Sequence, residues 1–241
     1  MGESVSLSTG TRIRSNRHVY ACAHFWTSAG KNDSLRFGSI DLYSYAYSMI
    51  RFNNLMRDGN FELRALELSE WQLLRAMRIR EATVHPDLFY DSAAMATNYE
   101  PSHWQELLSK DGNKFWALFD GGESIGLTGI FSVDADPTGQ TAVIGYSFIE
   151  PQYRGKGFAN WFYRARLEHA VNHKPWKKII TDHRIGNEIS KSAIIKHGFT
   201  FVEQEVIDWT DGTREYELRY ELDLDKLRSA ADEPASPKKE S

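Results

Sequence analysis

Apolar and polar positions follow two periods along this chain, and the switches between them predict the elements. Residues 61–66, Phe-Glu-Leu-Arg-Ala-Leu, alternate as a half-buried strand does. From Ser69 to about Thr83 the spacing becomes helical, with Ser69 and Gln72 at capping-box separation and Pro86 as the stop. Residues 84–100 read as a long loop carrying Phe89, Tyr90 and Tyr99. Pro101 and Ser102, with Gln105 three residues after the serine, open a second helix to about Lys110. Residues 114–119 and 124–133 read as paired strands turning at Gly121 and Gly122. A further strand covers 143–149, a helix 160–171, a strand 178–182 and a short helix 188–196 that stops at His197-Gly198. Two last strands, 199–209 and 213–224, flank the Asp211-Gly212 turn. The predicted order is β-α-α-β-β-β-α-β-α-β-β.

The two ends of the chain lack this grammar. Residues 1–55 scatter Gly, Ser and Asn among tyrosines and arginines with no lasting period. They are expected to be a poorly structured or accessory extension, or sequence upstream of the natural start codon. A catalytic domain is expected over 56–224. The polar, proline-bearing stretch that follows predicts a disordered tail over 225–241.

Composition narrows the class. The 241 residues are 41% hydrophobic and 26% charged, which suits a folded globular protein. No apolar run reaches the roughly 18–20 residues of a membrane span, and no membrane partner is expected. The lone Cys22 rules out an internal disulfide and fits a reducing cytoplasm, the expected location. A net charge of −4 argues against a nucleic-acid partner and suits a cationic one. The histidines show no metal-ligand spacing, so no metal is expected.

The most informative stretch is Gln152-Tyr153-Arg154-Gly155-Lys156-Gly157-Phe158-Ala159, between a strand and a helix. A basic, glycine-rich turn there makes a phosphate cradle, because the first helical N–H groups are unpaired and glycine admits close approach. The spacing is not that of a P-loop, which needs four residues between its glycines and a following Lys-Ser/Thr. It is not a dinucleotide fingerprint either, since Asn160 stands where Gly or Ala is required. The turn resembles the Gln/Arg-x-x-Gly-x-Gly/Ala signature of the GNAT superfamily of N-acetyltransferases, with Gln152, Gly155 and Gly157 in the fixed positions. A second local match follows in order: Asn187-x-x-Ser190, then Lys196-x-Gly198-Phe199. The predicted element order resembles that family's fold over most of the chain.

The resemblance implies an α/β (α+β) fold with a mixed, mostly antiparallel sheet flanked by helices. It implies acetyl-CoA as the acyl-donor cosubstrate and a primary amine of a small molecule or protein as acceptor; a homodimer is left open. The backbone from Arg154 to Ala159 would hold the pyrophosphate, with Arg154 and Lys156 adding charge. Phe148 and Ile149 would pair with the pantetheine arm, and the Ile149 N–H would polarise the thioester carbonyl. Asn187 would order its loop or contact coenzyme A. An amine of pKa about 10.4 must lose a proton, and Glu150 or His183, each ending a strand beside the cleft, could accept it. The family's tyrosine acid is absent, because its position here is Ile194. Ser190 is the natural substitute, and a thiol of pKa about 8.5 also leaves tolerably unaided. With no cysteine in the domain, transfer would be direct. The acceptor would meet the aromatic loop and the hairpin bearing Asp208, Trp209, Asp211 and Glu215, where acids and rings suit an ammonium group. The competing expectation is a non-catalytic coenzyme-A-binding module, which Ile194 keeps in play.

Overall fold

The computed structural model describes residues 55–89, 91–173 and 175–232; the extension before Leu55, Tyr90 and the chain after Asp232 lie outside them. Eight strands form one sheet in the order β1-β2-β3-β4-β5-β6-β8-β7. They are β1 (Leu55–Asp58), β2 (Phe61–Ala65), β3 (Lys114–Asp120), β4 (Glu123–Ser132), β5 (Thr141–Ile149), β6 (Lys178–Arg184), β7 (Thr200–Asp208) and β8 (Arg214–Asp223). Every neighbouring pair is antiparallel except β5 and β6. The mixed, mostly antiparallel sheet expected from the sequence is therefore the observed one.

Helices cover both faces. On one face lie α1 (Trp71–Val84), α2 (Ala93–Asn98) and α3 (Pro101–Ser109), packed through Leu74, Met77, Trp104 and Leu107 against Phe115, Leu127 and Phe148. On the other lie α4 (Phe158–Asn172), α5 (Glu188–Lys196) and α6 (Leu224–Asp232), whose Phe162, Leu167, Ile194 and Leu227 meet Leu118, Ile144 and Ile179. Two apolar layers, one per face, are what a sheet buried on both sides requires.

Three local predictions are corrected. Helix α1 begins at Trp71 after a 3₁₀ turn, and the reaching-back carboxylate is that of Glu70, which accepts from the Glu67 N–H at 3.0 Å. Arg64 holds Glu70 in place through two bonds of 2.7 and 2.9 Å, so a cross-element ion pair replaces the predicted Ser69 and Gln72 box. The loop 84–100 contains α2, whose cap is the Ser92 hydroxyl accepting from the Met95 N–H. The fold also continues past Leu224. Within the tail expected to be disordered, α6 buries Leu227, and Arg228 donates to the carbonyls of Ala170, Val171, His173 and Trp176. The first three of those carbonyls lie at the C-terminal end of α4, where end-of-helix acceptors and the helix dipole favour a cation.

The feature that shapes the site is a bulge. Opposite Leu127 and Gly129 of β4, strand β5 advances from Gly145 to Phe148, one residue too many for a regular ladder. Tyr146 absorbs the excess with φ of +55°, a conformation that costs a non-glycine residue energy. Pairing with β6 is confined to Thr141, Ala142 and Val143. Beyond them the two parallel strands splay apart, and Thr181 donates to the Ile144 carbonyl at the vertex.

Candidate active site

The splay opens a cavity of about 650 Å³ between β5, β6, α4, α5 and the loop after α1. Its mouth is the turn before α4. Gly155 and Gly157 adopt φ of +78° and +88°, and no side chain caps α4. A Cβ on Gly155 would meet nothing within 4 Å, and one on Gly157 only Asn160 at 3.9 Å. Glycine is thus required here for the left-handed backbone rather than by crowding, and the space in front of the helix N-terminus stays open. Lys196 of α5 donates to the Asn160 side chain at 3.0 Å across the mouth, tying α5 to α4.

Strand chemistry accounts for Ile149. The Glu150 N–H donates to the Ile125 carbonyl at 2.9 Å, toward β4. Polar backbone groups alternate sides along a strand, so those of Ile149 face the splay, where β6 has already diverged. An extended ligand arm laid in the cavity would find that edge.

Of the predicted site residues, Phe148, Ile149, Tyr153, Arg154, Gly155, Gly157, Phe158, Ala159, His183, Asn187 and Ser190 all line this one cavity. Gln152, Lys156 and Glu150 do not. Gln152 is exposed on the 3₁₀ turn Pro151–Tyr153. The Lys156 ammonium lies 5.1 Å from the rings of Phe61 and Tyr153, a cation–π placement behind the lining residue Tyr153. Glu150 is 5% exposed and its carboxylate accepts from Arg80 of α1, so an ion pair already occupies the first base candidate.

The second base candidate is on the face covered by α4, α5 and α6. Across β6 and β8, His183 is level with Leu218 and Thr181 with Tyr220, and both partners pack in the α4–α5–α6 layer. The His183 Nδ1 lies 2.8 Å from the Arg184 carbonyl, which only accepts, so Nδ1 carries the proton. The Nε2 is left to accept from the Tyr220 hydroxyl at 3.3 Å. Above them Asn187 caps α5, its Oδ1 accepting from the Ser190 N–H at 3.1 Å. Among the described residues the half-buried Ser190 hydroxyl has no hydrogen bond of its own, which leaves it free to donate into the cavity. Ile194, in the position of the family's tyrosine, is buried and apolar. The cavity on this face is also lined by Tyr163 stacked on His197 at 3.8 Å, and burial pushes the His197 pKa down to about 4.

The opposite face carries other side chains. Asp182 and Arg184 alternate with His183 and point there. Asp182 accepts from Arg219 at 2.9 Å, and Arg219 also reaches Glu203. The buried Arg184 donates to Asp211 at 2.6 Å, Glu215 at 2.8 Å, the Asp87 carbonyl at 2.7 Å and the Thr213 hydroxyl, and sits 4.9 Å over Trp209. Two of the acids expected to attract an ammonium group are therefore engaged by one guanidinium, and Trp209 is its buried platform. Asp208 is exposed beside Arg214. Phe89 lines the cavity, Tyr99 stacks on His103 at 4.3 Å, and Tyr90 is outside the described residues. The sequence pattern did not single out His85, Leu88 or Tyr146, which also line this side. A histidine delivered by a helix that Pro86 must end was the available signal for His85. No group of histidine, cysteine or acidic residues among the described residues is arranged to hold a metal.

Comparison with known proteins agrees with this geometry. Residues 60–200, more than half of the chain, match the family model described as an acetyltransferase (GNAT) domain. No curated protein sequence matches. Among solved structures, RimL, a ribosomal L7/L12 alpha-N-protein acetyltransferase in complex with coenzyme A, superposes with a TM-score of 0.56 at 16% identity, over 74% of this chain and 99% of that one. The ribosomal-protein-S5-alanine acetyltransferase from Vibrio fischeri gives 0.58 at 15%, over 73% and 99%. The spermidine N-acetyltransferase from Vibrio cholerae, in complex with CoA and spermine, gives 0.52 at 18%, over 70% and 99%.

Proposed function

We propose that this chain, which belongs to the GNAT acetyltransferase family, moves an acyl group, acetyl first, from coenzyme A to a primary amine of a small molecule or protein by direct transfer. The observation that carries this reading is the convergence of three features on one cavity: an uncapped helix N-terminus behind Gly155 and Gly157, the strand edge at Ile149 that β6 leaves uncovered, and the Ser190 hydroxyl. The first supplies N–H groups and a positive dipole end for a pyrophosphate. The second supplies strand-like pairing for an extended arm, with an N–H aimed at a thioester oxygen, where negative charge develops in the transition state. The third supplies a proton for the departing sulfur. Structures similar in fold are of proteins bound to coenzyme A and named for acetylating protein N-termini or spermidine, which supports both the donor and an amine acceptor.

The reaction needs nothing covalent from the protein. The amine nitrogen attacks the thioester carbonyl, the C–S bond breaks, and one proton reaches the sulfur while another leaves with a base. His183, which contacts Tyr220 and lines the same cavity as Ser190, is better placed to serve the sulfur side than to reach an amine on the other face.

The test is a thermal-shift titration with acetyl-CoA, free CoA and NADH, followed by thiol release with spermine and with alanine- and serine-led peptides. At about a hundredfold above Kd, a specific ligand stabilises by roughly 2.7 kcal/mol, or about 5–10 °C at this size. A shift with acetyl-CoA and not NADH, with thiol release, is expected. No shift at millimolar acetyl-CoA would remove the donor. A shift without thiol release for any amine would make the chain a coenzyme-A-binding module.

A further inference from the structure

Helix α1 ends at His85, whose N–H still donates to the Glu81 carbonyl, and Pro86 prevents another turn. The half-buried imidazole is thereby set over the end of β5, edge-on to Phe148 at 6.4 Å between centroids, on the cavity wall opposite His183. Its Nε2 meets Arg154 Nη2 at 2.5 Å. A guanidinium can only donate, so Nε2 is the acceptor, and the proton of the neutral ring is on Nδ1. The same Arg154 donates through Nε to the Ile149 carbonyl at 3.0 Å. One cation from the phosphate turn thus occupies a ring nitrogen on the acceptor side and the strand edge that a pantetheine arm would use.

Resting on the acyltransferase function proposed above, we propose that His85 takes the proton from the acceptor amine. We propose further that Arg154 withholds His85 Nε2 and the Ile149 edge until the coenzyme pyrophosphate draws the guanidinium away. Arg154 adjoins Gly155, so a pyrophosphate in the cradle lies within reach of the same side chain. A charged acceptor outcompetes a neutral imidazole and a carbonyl for a guanidinium, because it adds attraction between two full charges, and bidentate geometry, to a bond that the imidazole and carbonyl make from one charge alone. Donor binding then opens both the edge and the base, which makes acetyl-CoA the leading substrate. In the transfer, the ammonium gives one proton to His85 Nε2, the freed nitrogen bonds to the thioester carbon, and the C–S bond breaks. The second amine proton passes to the Ser190 hydroxyl as that hydroxyl gives its own to the sulfur, and the half-buried His85 returns its proton to water.

The charges facing His85 are Arg154 from the turn and Asp87 from the loop after α1; Phe148, packed against it from β5, is uncharged. Burial first, then Arg154, holds the imidazole below its ordinary value, while Asp87 opposes them. Moving Arg154 away removes one of the two depressing causes, so coenzyme binding strengthens the base.

The measurement is the His85 titration by imidazole ¹H–¹⁵N NMR in the full chain, assigned with His85→Gln, without ligand and with saturating free CoA. The His85 pKa is expected to rise with CoA in the wild type. In Arg154→Gln it should be raised already, with little further change. Bound CoA, verified by calorimetry, that leaves the His85 titration unmoved would overturn the latch while leaving the acyltransferase reading intact. Absence of CoA binding would overturn that reading, and the latch with it. For the base, thiol release from acetyl-CoA with spermine or an alanine-led peptide should fall about 10²-fold in His85→Gln, with KM for acetyl-CoA unchanged and the acid limb of the pH profile lost. Turnover within threefold of wild type, with that limb intact, would overturn the assignment of His85.

Discussion

The two sides of the cavity are built from different materials. On the side proposed to hold the coenzyme the binding groups are mostly backbone, the N–H groups after Gly157 and the strand edge at Ile149, with the Ser190 hydroxyl and the Asn187 side-chain cap beside them. On the side proposed to receive the acceptor they are side chains from distant stretches, with Arg184 reaching Asp87, Asp211, Thr213 and Glu215, and Arg154 reaching His85. Backbone groups are fixed by local geometry, whichever residues surround them. Side-chain networks exist only when the whole fold brings the parts together. The coenzyme side therefore suits a constant ligand, and the acceptor side suits a variable one.

The sharpest way to break the coenzyme side is to fill it. Gly157→Trp places an indole before the first turn of α4 and forces a bulky residue into φ of +88°. The expected outcome is loss of the acetyl-CoA thermal shift at concentrations that saturate the wild type, with far-UV circular dichroism retained. A retained shift would mean that the phosphate is held elsewhere. The opposing side should be untouched, and the Arg184 contacts give the control.

Next in size is Ser190→Ala. The mutation keeps the Asn187 cap, which uses only the Ser190 N–H, and deletes the hydroxyl. Turnover should fall about 10–100-fold while the KM for acetyl-CoA stays within twofold, a pattern expected when a group acts on the leaving sulfur and not on binding. Equal turnover in the variant would show that the thiolate departs unaided.

The same division decides what could be read from the sequence. The Gly155–Gly157 turn, the Ile149 strand end and the Asn187 cap are local patterns, each spelled by neighbouring residues, and the structure gathers them in one cavity. The central strands were legible for the same reason, since alternation is a local property. The short β1, α2 and α6 were not: α2 has six residues and rests on packing, and α6 depends on Arg228 finding four carbonyls more than fifty residues away. Tyr146 at positive φ leaves no mark in the sequence, yet its bulge creates the splay. Glu150 stood correctly at a strand end, but nothing local announces that Arg80, seventy residues earlier, would pair with it. His85 was hidden in a stretch read as loop, because its meaning depends on Arg154 across the cavity.

The acceptor side can be loosened without touching the donor side, and Arg184→Met does so. Methionine retains apolar bulk over Trp209 but removes every donor that ties the β7–β8 hairpin to the loop after α1. Asp211 and Glu215 remain partly exposed, so water can take over from the lost guanidinium. The melting temperature should drop modestly, about 3–6 °C, with the donor-induced shift preserved. The KM for the acceptor should rise several-fold as the two walls separate. Asp211 offers a site-specific readout. Hydrogen bonds from Thr213, and then from Arg184, hold its pKa down to about 2. A carboxylate depressed in the fold supports the hairpin fully above its unbound value of about 3.8 and loses that support as pH falls toward 2. In Arg184→Met the Asp211 titration, followed by carboxyl ¹³C NMR, should move up only partway, since the Thr213 bonds persist. An unchanged Asp211 titration with an unchanged acceptor KM would show that Arg184 braces the hairpin without shaping the acceptor wall.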